Sequence, residues 1–92
     1  MTELEAETIA AETLAWLVSQ EELLPVFLGS TGASLGDLKA NAGTRETAQA
    51  VLDFVLMNEE WAMQCSQSQN WKPDRLMLAQ AVLQGPAGMQ WT

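Results

Sequence analysis

Histidine is absent from the sequence, and cysteine occurs once, as Cys65, among 92 residues. Without histidine the chain lacks the most common general base, the most common metal ligand and every Ser-His or Cys-His nucleophile arrangement. A structural zinc site needs several Cys or His ligands, and one cysteine cannot close an intrachain disulfide. The sequence also has no Walker loop, no dinucleotide-binding glycine pattern and no calcium-loop spacing. We therefore expect no metal, no cofactor and no catalytic activity.

Basic residues are scarce. Twelve acidic residues face four basic ones, for a net charge of −8. The basic residues are Lys39, Arg45, Lys72 and Arg75. No basic stripe is available to replace counterions on a nucleic acid or to approach an anionic membrane, so we expect neither as a partner. The negative charge keeps copies of the chain apart in solution and favours a basic protein as partner.

Long apolar runs are also missing, since no stretch approaches the ~20 residues that cross a bilayer. The first residues, MTELEAETIAAE, are acidic where a signal or transit peptide would be basic. A single cysteine gives no sign of an oxidising compartment. With 48% hydrophobic residues the composition is that of a folded globular protein. We expect a cytoplasmic protein with one helical domain, residues 1–85, and a C-terminal tail, residues 86–92.

The sequence does contain a pattern of apolar and polar residues typical of α-helices along nearly its whole length. Residues 2–18 predict a first helix with one broad apolar side, formed by Ala6, Ile9, Ala10, Leu14, Trp16 and Leu17. The segment RETAQAVLDFVLM (residues 45–57) predicts a fourth helix with an inward side formed by Ala48, Val51, Leu52, Phe54 and Val55. Thr44 is placed to cap this fourth helix. No strand pattern is present, so the fold class is predicted to be all-α.

Shorter helices are predicted from their end signals. Ser19 and Glu22 have the spacing of a capping box for a second helix, which Gly32 would end in the left-handed conformation. Pro25 allows two arrangements: a kinked helix, or a tight turn over residues 21–24 with Pro25 as the first helical residue. Ser34 and Asp37 repeat the capping-box spacing for a third helix to about residue 42.

The last two predicted helices are also set by end signals. Asn58 is placed to cap a fifth helix, and Asn70 to end it in the left-handed conformation. Pro73 suits the first position of a sixth helix that reaches Gln84 and stops at Gly85. The whole chain is therefore predicted to be a compact bundle of five or six short helices.

A repeat of 38 residues is visible in this pattern. Shifting residues 10–40 onto 48–78 pairs Ala10 with Ala48 and Leu38 with Leu76, and it sets Gly32 on Asn70. Few residues are identical, but the same order of elements recurs in both segments. A long apolar helix is followed by a second helix that begins with acidic residues, by a residue that ends it in the left-handed conformation, and by a short helix with a buried leucine. Two arrangements stay open, a tandem of two three-helix units sharing one core and six unrelated short helices.

The segments FLGSTGASLGDLKANAG and VLDFVLMNEEWAMQCSQSQ, together with the chain length, resemble a family of small all-helical bacterial proteins. That family is the domain-of-unknown-function family number 3572, and the resemblance covers about residues 10–85. It implies a helical fold and a bacterial source. It implies no activity, because the family has none assigned.

Two acidic pairs and the cysteine are the residues to weigh for chemistry. Glu3 and Glu7 share a helix face, and Glu59 and Glu60 are adjacent, but acids at helix starts are explained by the helix dipole. Cys65 shares a helix face with apolar neighbours, which favours a small buried side chain over a reactive thiol. We therefore assign no catalytic, metal or cofactor-binding residue.

Five apolar residues are candidates for binding a partner protein or a second copy: Met63, Trp71, Met77, Met89 and Trp91. Exposed Met and Trp side chains are typical of interaction surfaces. For Trp71 the alternative is the apolar contact that accompanies a helix end. Two functions follow as hypotheses: a non-catalytic protein–protein interaction module of the adaptor or regulatory kind, or an acidic mimic of nucleic acid that inhibits a basic protein.

Overall fold

The computed structural model describes the backbone of residues 1–72 and 74–90 and the side chains of residues 1–72 and 74–84. These residues form six α-helices and no strand, which confirms the all-α prediction. The helices are α1 Glu3–Ser19, α2 Leu23–Thr31, α3 Leu35–Ala40, α4 Arg45–Leu56, α5 Glu59–Ser68 and α6 Arg75–Gln90.

Three long helices, α1, α4 and α6, pack against one another and form the centre of the fold. Glu3 and Arg45 are in contact at the starts of α1 and α4, so these two helices run in the same direction. Arg45 also reaches Leu83 late in α6, and Asp53 near the end of α4 bonds to Gln80. Helix α6 is therefore antiparallel to the other two.

The core is an apolar cluster contributed by all six helices. Its fully buried side chains include Ile9 and Leu17 of α1, Leu52 of α4 and Leu76 of α6. Aromatic side chains connect the shorter helices to this centre. The Phe27 ring of α2 meets the Phe54 ring edge to face at 5.2 Å, and Trp61 of α5 stacks on Phe54 at 4.9 Å between ring centroids. The apolar sides predicted for α1 and α4 are the sides that pack in this core.

Most helix ends follow the predicted capping residues. Thr44 accepts from the backbone N–H of Thr47, and Asn58 accepts from two N–H groups at the start of α5. Ser34 and Asp37 form a complete capping box at α3. These local predictions succeed because each cap satisfies backbone donors that the helix itself leaves free.

The predicted capping box at Ser19 and Glu22 is wrong. Helix α1 continues through Ser19, whose hydroxyl donates to the carbonyl oxygen of Trp16 at 2.6 Å, and Glu22 makes no side-chain cap. Residues 20–22 form a turn, and Pro25 becomes the third residue of α2. At that position a proline costs no helical hydrogen bond, because the first N–H groups of a helix have no partner within it. The second predicted arrangement is thus nearly right, with Pro25 two positions further in.

The end of α6 also differs from the prediction. The helix begins at Arg75 and passes through Gly85 to Gln90. Pro73, predicted as its first residue, lies outside the described residues. Before Gly85, the Leu83 carbonyl accepts hydrogen bonds from Arg45 and Gln49 of α4. Glycine permits both a helix interior and a helix end, so Gly85 by itself does not stop α6.

The 38-residue repeat has a structural counterpart in the first two helices of each half. Gly32 and Asn70 both adopt positive φ, 75° and 59°, and both follow a short helix. Leu38 and Leu76 are both buried. The third helices differ, however, since α3 has 6 residues and α6 has 16, and only α6 belongs to the central bundle. The two halves are therefore alike in local roles and unlike in their last helix.

Candidate functional site

The structure exposes two of the methionines predicted to bind a partner. Met63 is 47% exposed and Met77 is 61% exposed. A third methionine, Met57, is 75% exposed and is absent from the residues predicted by sequence. Its position in the sequence could have indicated this exposure, because Met57 follows the last turn of α4 and does not belong to the apolar side of that helix.

Met57 and Met77 lie at the same end of the antiparallel α4–α6 pair. Asp53 marks the register, since its carboxylate accepts hydrogen bonds from the amides of Gln80 at 2.6 Å and Gln84 at 3.3 Å. Met57 is one helical turn after Asp53, and Met77 is about one turn before Gln80, so both continue in the same direction from this contact. We call Met57 and Met77 the methionine pair.

Acidic side chains surround the methionine pair in sequence. Four exposed carboxylates lie within four residues of one or other methionine: Asp53, Glu59, Glu60 and Asp74. The basic residue nearest in sequence is Arg75, whose guanidinium carbon lies 6.0 Å from the Trp71 ring centroid. This end of the molecule therefore combines flexible apolar side chains with a surplus of negative charge.

Trp71 has the helix-end contact that the sequence predicts as one of its two roles. Its backbone N–H donates to the Ser66 carbonyl oxygen, and its half-buried ring packs on the core. The ring is also covered by the Arg75 guanidinium. Part of the ring remains accessible, so its second predicted role in partner binding stays a prediction.

The other two predicted partner-binding residues, Met89 and Trp91, lie outside the residues whose side chains the structure describes. The structure gives only the helical backbone of α6 at Met89. Their role stays a prediction.

The acidic pairs predicted by the sequence lie near the starts of α1 and α5. Glu3 contacts Arg45, and Glu59 and Glu60 occupy the first turn of α5, where acids stabilise a helix start. Within the described part of the chain, no group of three His, Cys, Asp or Glu side chains is arranged to hold a metal ion.

Cys65 is buried in the core, as predicted. Burial raises the pKa of its thiol, and a hydrogen bond with the Thr13 side chain opposes this in part. Thr13 is buried too, and its hydroxyl donates to the Ile9 carbonyl oxygen at 2.7 Å. A buried thiol with a raised pKa is a poor nucleophile, because the thiolate is the reactive form.

The surface clefts of the described residues include three with well-defined walls. One of about 240 Å³ lies between α1 and the start of α4, and a polar one of about 410 Å³ lies where the α1–α2 turn approaches α5. The third, of about 330 Å³, lies between α2, α3 and α4. Buried Phe27 and Leu38 line this third cleft, which we call the α3 cleft.

Comparison with known proteins supplies a family. Residues 3–86 match the family described as protein of unknown function (DUF3572). The chain belongs to the DUF3572 family. This match confirms the resemblance drawn from the FLGSTGASLGDLKANAG and VLDFVLMNEEWAMQCSQSQ segments and extends it to nearly the whole chain.

Further comparisons add no activity to this DUF3572 protein. No curated protein and no solved structure matches the chain. None of the helices in the described residues combines the length and apolar character needed to cross a membrane.

Proposed function

We propose that this DUF3572 protein is a non-catalytic protein–protein interaction module, of the adaptor or regulatory kind, that binds a basic partner in the cytoplasm. The observation that supports the proposal most is the methionine pair, with Met57 75% and Met77 61% exposed at one end of the α4–α6 pair. Met63, Trp71, Met89 and Trp91 remain candidates for the same role.

Methionine suits such a surface for a physical reason. Its unbranched, polarisable side chain adapts to partners of different shape, and burying it removes apolar area from water at about 25 cal/mol per Å². An isolated exposed methionine needs no explanation, but two at one place with a third on α5 favour a binding surface.

Charge supports the choice of a basic partner. A net charge of −8 raises the association rate with a basic protein and opposes pairing of two copies of this chain. The carboxylates near the methionine pair would then surround the apolar contact with negative charge. Self-association through the same methionines is the competing outcome.

The alternative function is an acidic mimic that occupies the nucleic-acid site of a basic protein. This alternative also requires a basic partner, but it predicts that the affinity depends differently on salt concentration. Binding by charge alone weakens steeply as the salt concentration rises, whereas an apolar contact persists.

The test is affinity capture of partners from a native lysate on the immobilised protein, washed at low and then at high salt and identified by mass spectrometry. The double variant Met57→Gln/Met77→Gln removes apolar surface without changing charge. Val26→Gln is the matched control, because Val26 is 51% exposed on α2. A defined partner that survives high salt, binds the control and is lost with the double variant supports the proposal.

Two other results would overturn this assignment. Recovery of basic nucleic-acid-binding proteins that leave at high salt and bind the double variant equally well would favour the acidic mimic. Dimerisation that depends on the methionine pair, measured by analytical ultracentrifugation, would replace the partner with a second copy of the chain.

A further inference from the structure

Helix α1 has a second uncharged side, which faces away from the core. The side that packs against the rest of the fold carries its buried residues, Ala6, Ile9, Ala10, Thr13, Trp16 and Leu17. At about 100° per residue, the opposite side of the helix carries five uncharged residues that are all exposed: Leu4, Thr8, Ala11, Ala15 and Val18. We call these five residues the outer face of α1.

The outer face has the spacing of a helix that packs along a second helix. Its residues recur at intervals of four, three, four and three, which is the alternation of the a and d positions in a coiled coil. This spacing keeps them on one narrow side over about 21 Å of helix length. Leu4 is 72% exposed and Val18 is 43% exposed. A single exposed apolar residue needs no explanation, whereas a regular series along one side indicates an interface.

The shape of the outer face sets the size of the side chains that fit against it. The larger residues Leu4 and Val18 stand at its two ends, and the small residues Thr8, Ala11 and Ala15 lie between them. Beside these small residues opens the cleft of about 240 Å³ between α1 and the start of α4, since Thr8 and Ala11 also line it. The rest of its apolar wall is formed by Ala10, Leu14, Ala48 and Val51. A leucine or methionine side chain from a partner helix therefore has space in this cleft while the two helix axes approach closely.

Carboxylates border the outer face on both sides. Glu7 lies along one edge, and Glu5 and Glu12 lie along the other, at positions that flank the a and d residues of a coiled coil. All three are exposed, and α1 contains no basic residue. Within residues 1–72 and 74–84, the one ion pair of α1 is that of Glu3 with Arg45, which leaves the three bordering carboxylates without a cation. Flanking charges of this kind select a partner helix of opposite charge.

We infer that the outer face of α1 binds a basic amphipathic helix of another protein. A leucine or methionine of that helix enters the cleft beside Thr8 and Ala11, a small residue faces Ala15, and lysine or arginine side chains lie opposite the bordering carboxylates. A second copy of this chain fits less well, because pairing two outer faces brings the same carboxylates together. This surface is separate from the methionine pair, which lies on α6 and beyond the end of α4.

The experiment is an NMR titration of the ¹⁵N-labelled protein with a synthetic peptide of three heptads, following backbone amide shifts. The peptide carries leucine at a, alanine at d, lysine at e and g, and glutamine elsewhere. A control peptide has glutamate in place of every lysine. We expect the lysine peptide to cause saturable shifts at Thr8, Ala11 and Ala15, with a dissociation constant in the micromolar range. The glutamate peptide should cause no saturable shift.

Variants separate the outer face from the general negative charge of the protein. Ala11→Gln places a long neutral side chain at the centre of the face and should weaken binding of the lysine peptide about tenfold, because the centre of an interface contributes most of the affinity. Ala81→Gln is the matched control, since Ala81 is exposed on α6, and it should leave the dissociation constant unchanged. Glu12→Gln should weaken binding about threefold, the size expected for one exposed ion pair. Glu59→Gln makes the same change in charge on α5 and should have no effect.

The inference is wrong if neither peptide causes saturable shifts, if both bind equally, or if Ala11→Gln and Ala81→Gln weaken binding equally. Shifts confined to the surroundings of Met57 and Met77 would move the basic helix to the methionine pair. A dimer in analytical ultracentrifugation that Ala11→Gln abolishes would make a second copy the occupant. Shifts at Ala11 caused by Trp91→Ala without peptide would make the chain's own C-terminal residues the occupant. The double variant Met57→Gln/Met77→Gln should bind the lysine peptide as the native protein does, so the two surfaces are tested separately.

Discussion

The backbone N–H of Trp71 donates a hydrogen bond to the carbonyl oxygen of Ser66 at 2.8 Å, five residues back along the chain. Between them Asn70 has a φ of 59°, and its own N–H donates to the Gln67 carbonyl oxygen at 3.2 Å. This pair of bonds around a left-handed residue is a Schellman motif, which satisfies carbonyl groups that the end of α5 leaves free. The apolar contact that accompanies the motif is supplied by the Trp71 ring on the core.

The first prediction concerns Asn70. We expect Asn70→Gly to retain the free energy of unfolding or raise it slightly, because glycine adopts positive φ without strain. Asn70→Ala should lower it by about 1 kcal/mol, because alanine keeps the Cβ that disfavours the left-handed region but lacks the short polar side chain that lets asparagine adopt it. Urea denaturation followed by circular dichroism measures both. Equal stabilities of the Gly and Ala variants would contradict the left-handed conformation.

The second prediction concerns Arg45, which connects three helices. Its guanidinium contacts Glu3 of α1 and donates to the Leu83 carbonyl of α6, with an Nε to oxygen distance of 3.1 Å. We expect Arg45→Met to lower the free energy of unfolding by about 1.5–3 kcal/mol, as for loss of hydrogen bonds from a charged donor. Glu3→Gln should cost less than about 0.5 kcal/mol, because exposed ion pairs contribute little. An effect of Glu3→Gln as large as that of Arg45→Met in urea denaturation would show that the ion pair, rather than the Leu83 bond, holds the helices.

The third prediction concerns the pH dependence caused by Cys65. Burial raises the pKa of the thiol in the folded protein, whereas the thiol in the unfolded protein has its ordinary pKa of about 8.5. Above that pH the unfolded state binds fewer protons than the folded state, so the stability contributed by the buried thiol falls as the pH rises. The difference in unfolding free energy between the native protein and Cys65→Ala should shrink between about pH 8 and pH 10. A constant difference across this range would show that the thiol is not desolvated.

Alkylation gives a separate check on the same thiol. At pH 8, iodoacetamide should modify Cys65 far more slowly in the folded protein than in urea, because the native thiol is buried and protonated. Equal rates would contradict its burial.

The fourth prediction concerns the contact between Phe27 and Phe54, whose rings meet edge to face. In a double-mutant cycle with Phe27→Leu and Phe54→Leu, we expect a coupling energy of about 0.5–1.5 kcal/mol. Each single variant keeps an apolar side chain, so the cycle isolates the ring contact from general burial. A coupling near zero would place the attachment of α2 to α4 elsewhere in the core.

Local chemistry explains why so many helix ends are predictable. Thr44, Asn58 and the Ser34–Asp37 box act within one turn of their own helix, so their partners are known from spacing alone. The failure at Ser19 has the same origin. Its hydroxyl can bond either forward, as a cap, or backward to a carbonyl of the preceding turn, and spacing does not distinguish the two.

The candidate sites are harder to predict, since they depend on distant parts of the chain. Met63 and Met77 can be found by sequence because they leave the apolar side of their own helices. Met57 follows the end of its helix, and only the register between Asp53 and Gln80 shows that it lies near Met77. The α3 cleft is lined by residues from three helices, and no short sequence motif predicts it.

The sequence by itself determined the all-α class and a bundle of five or six helices, because apolar spacing and capping groups act over a few residues. Two of its segments also carried the resemblance to the DUF3572 family. Its lack of histidine and its small number of basic residues also directed the functional hypotheses toward binding rather than catalysis. Tertiary structure decided which helices form the centre, which methionines share a surface and where the clefts lie. These features depend on contacts such as that between the Arg45 side chain and the Leu83 carbonyl, 38 residues apart, which exists only after the whole chain has packed.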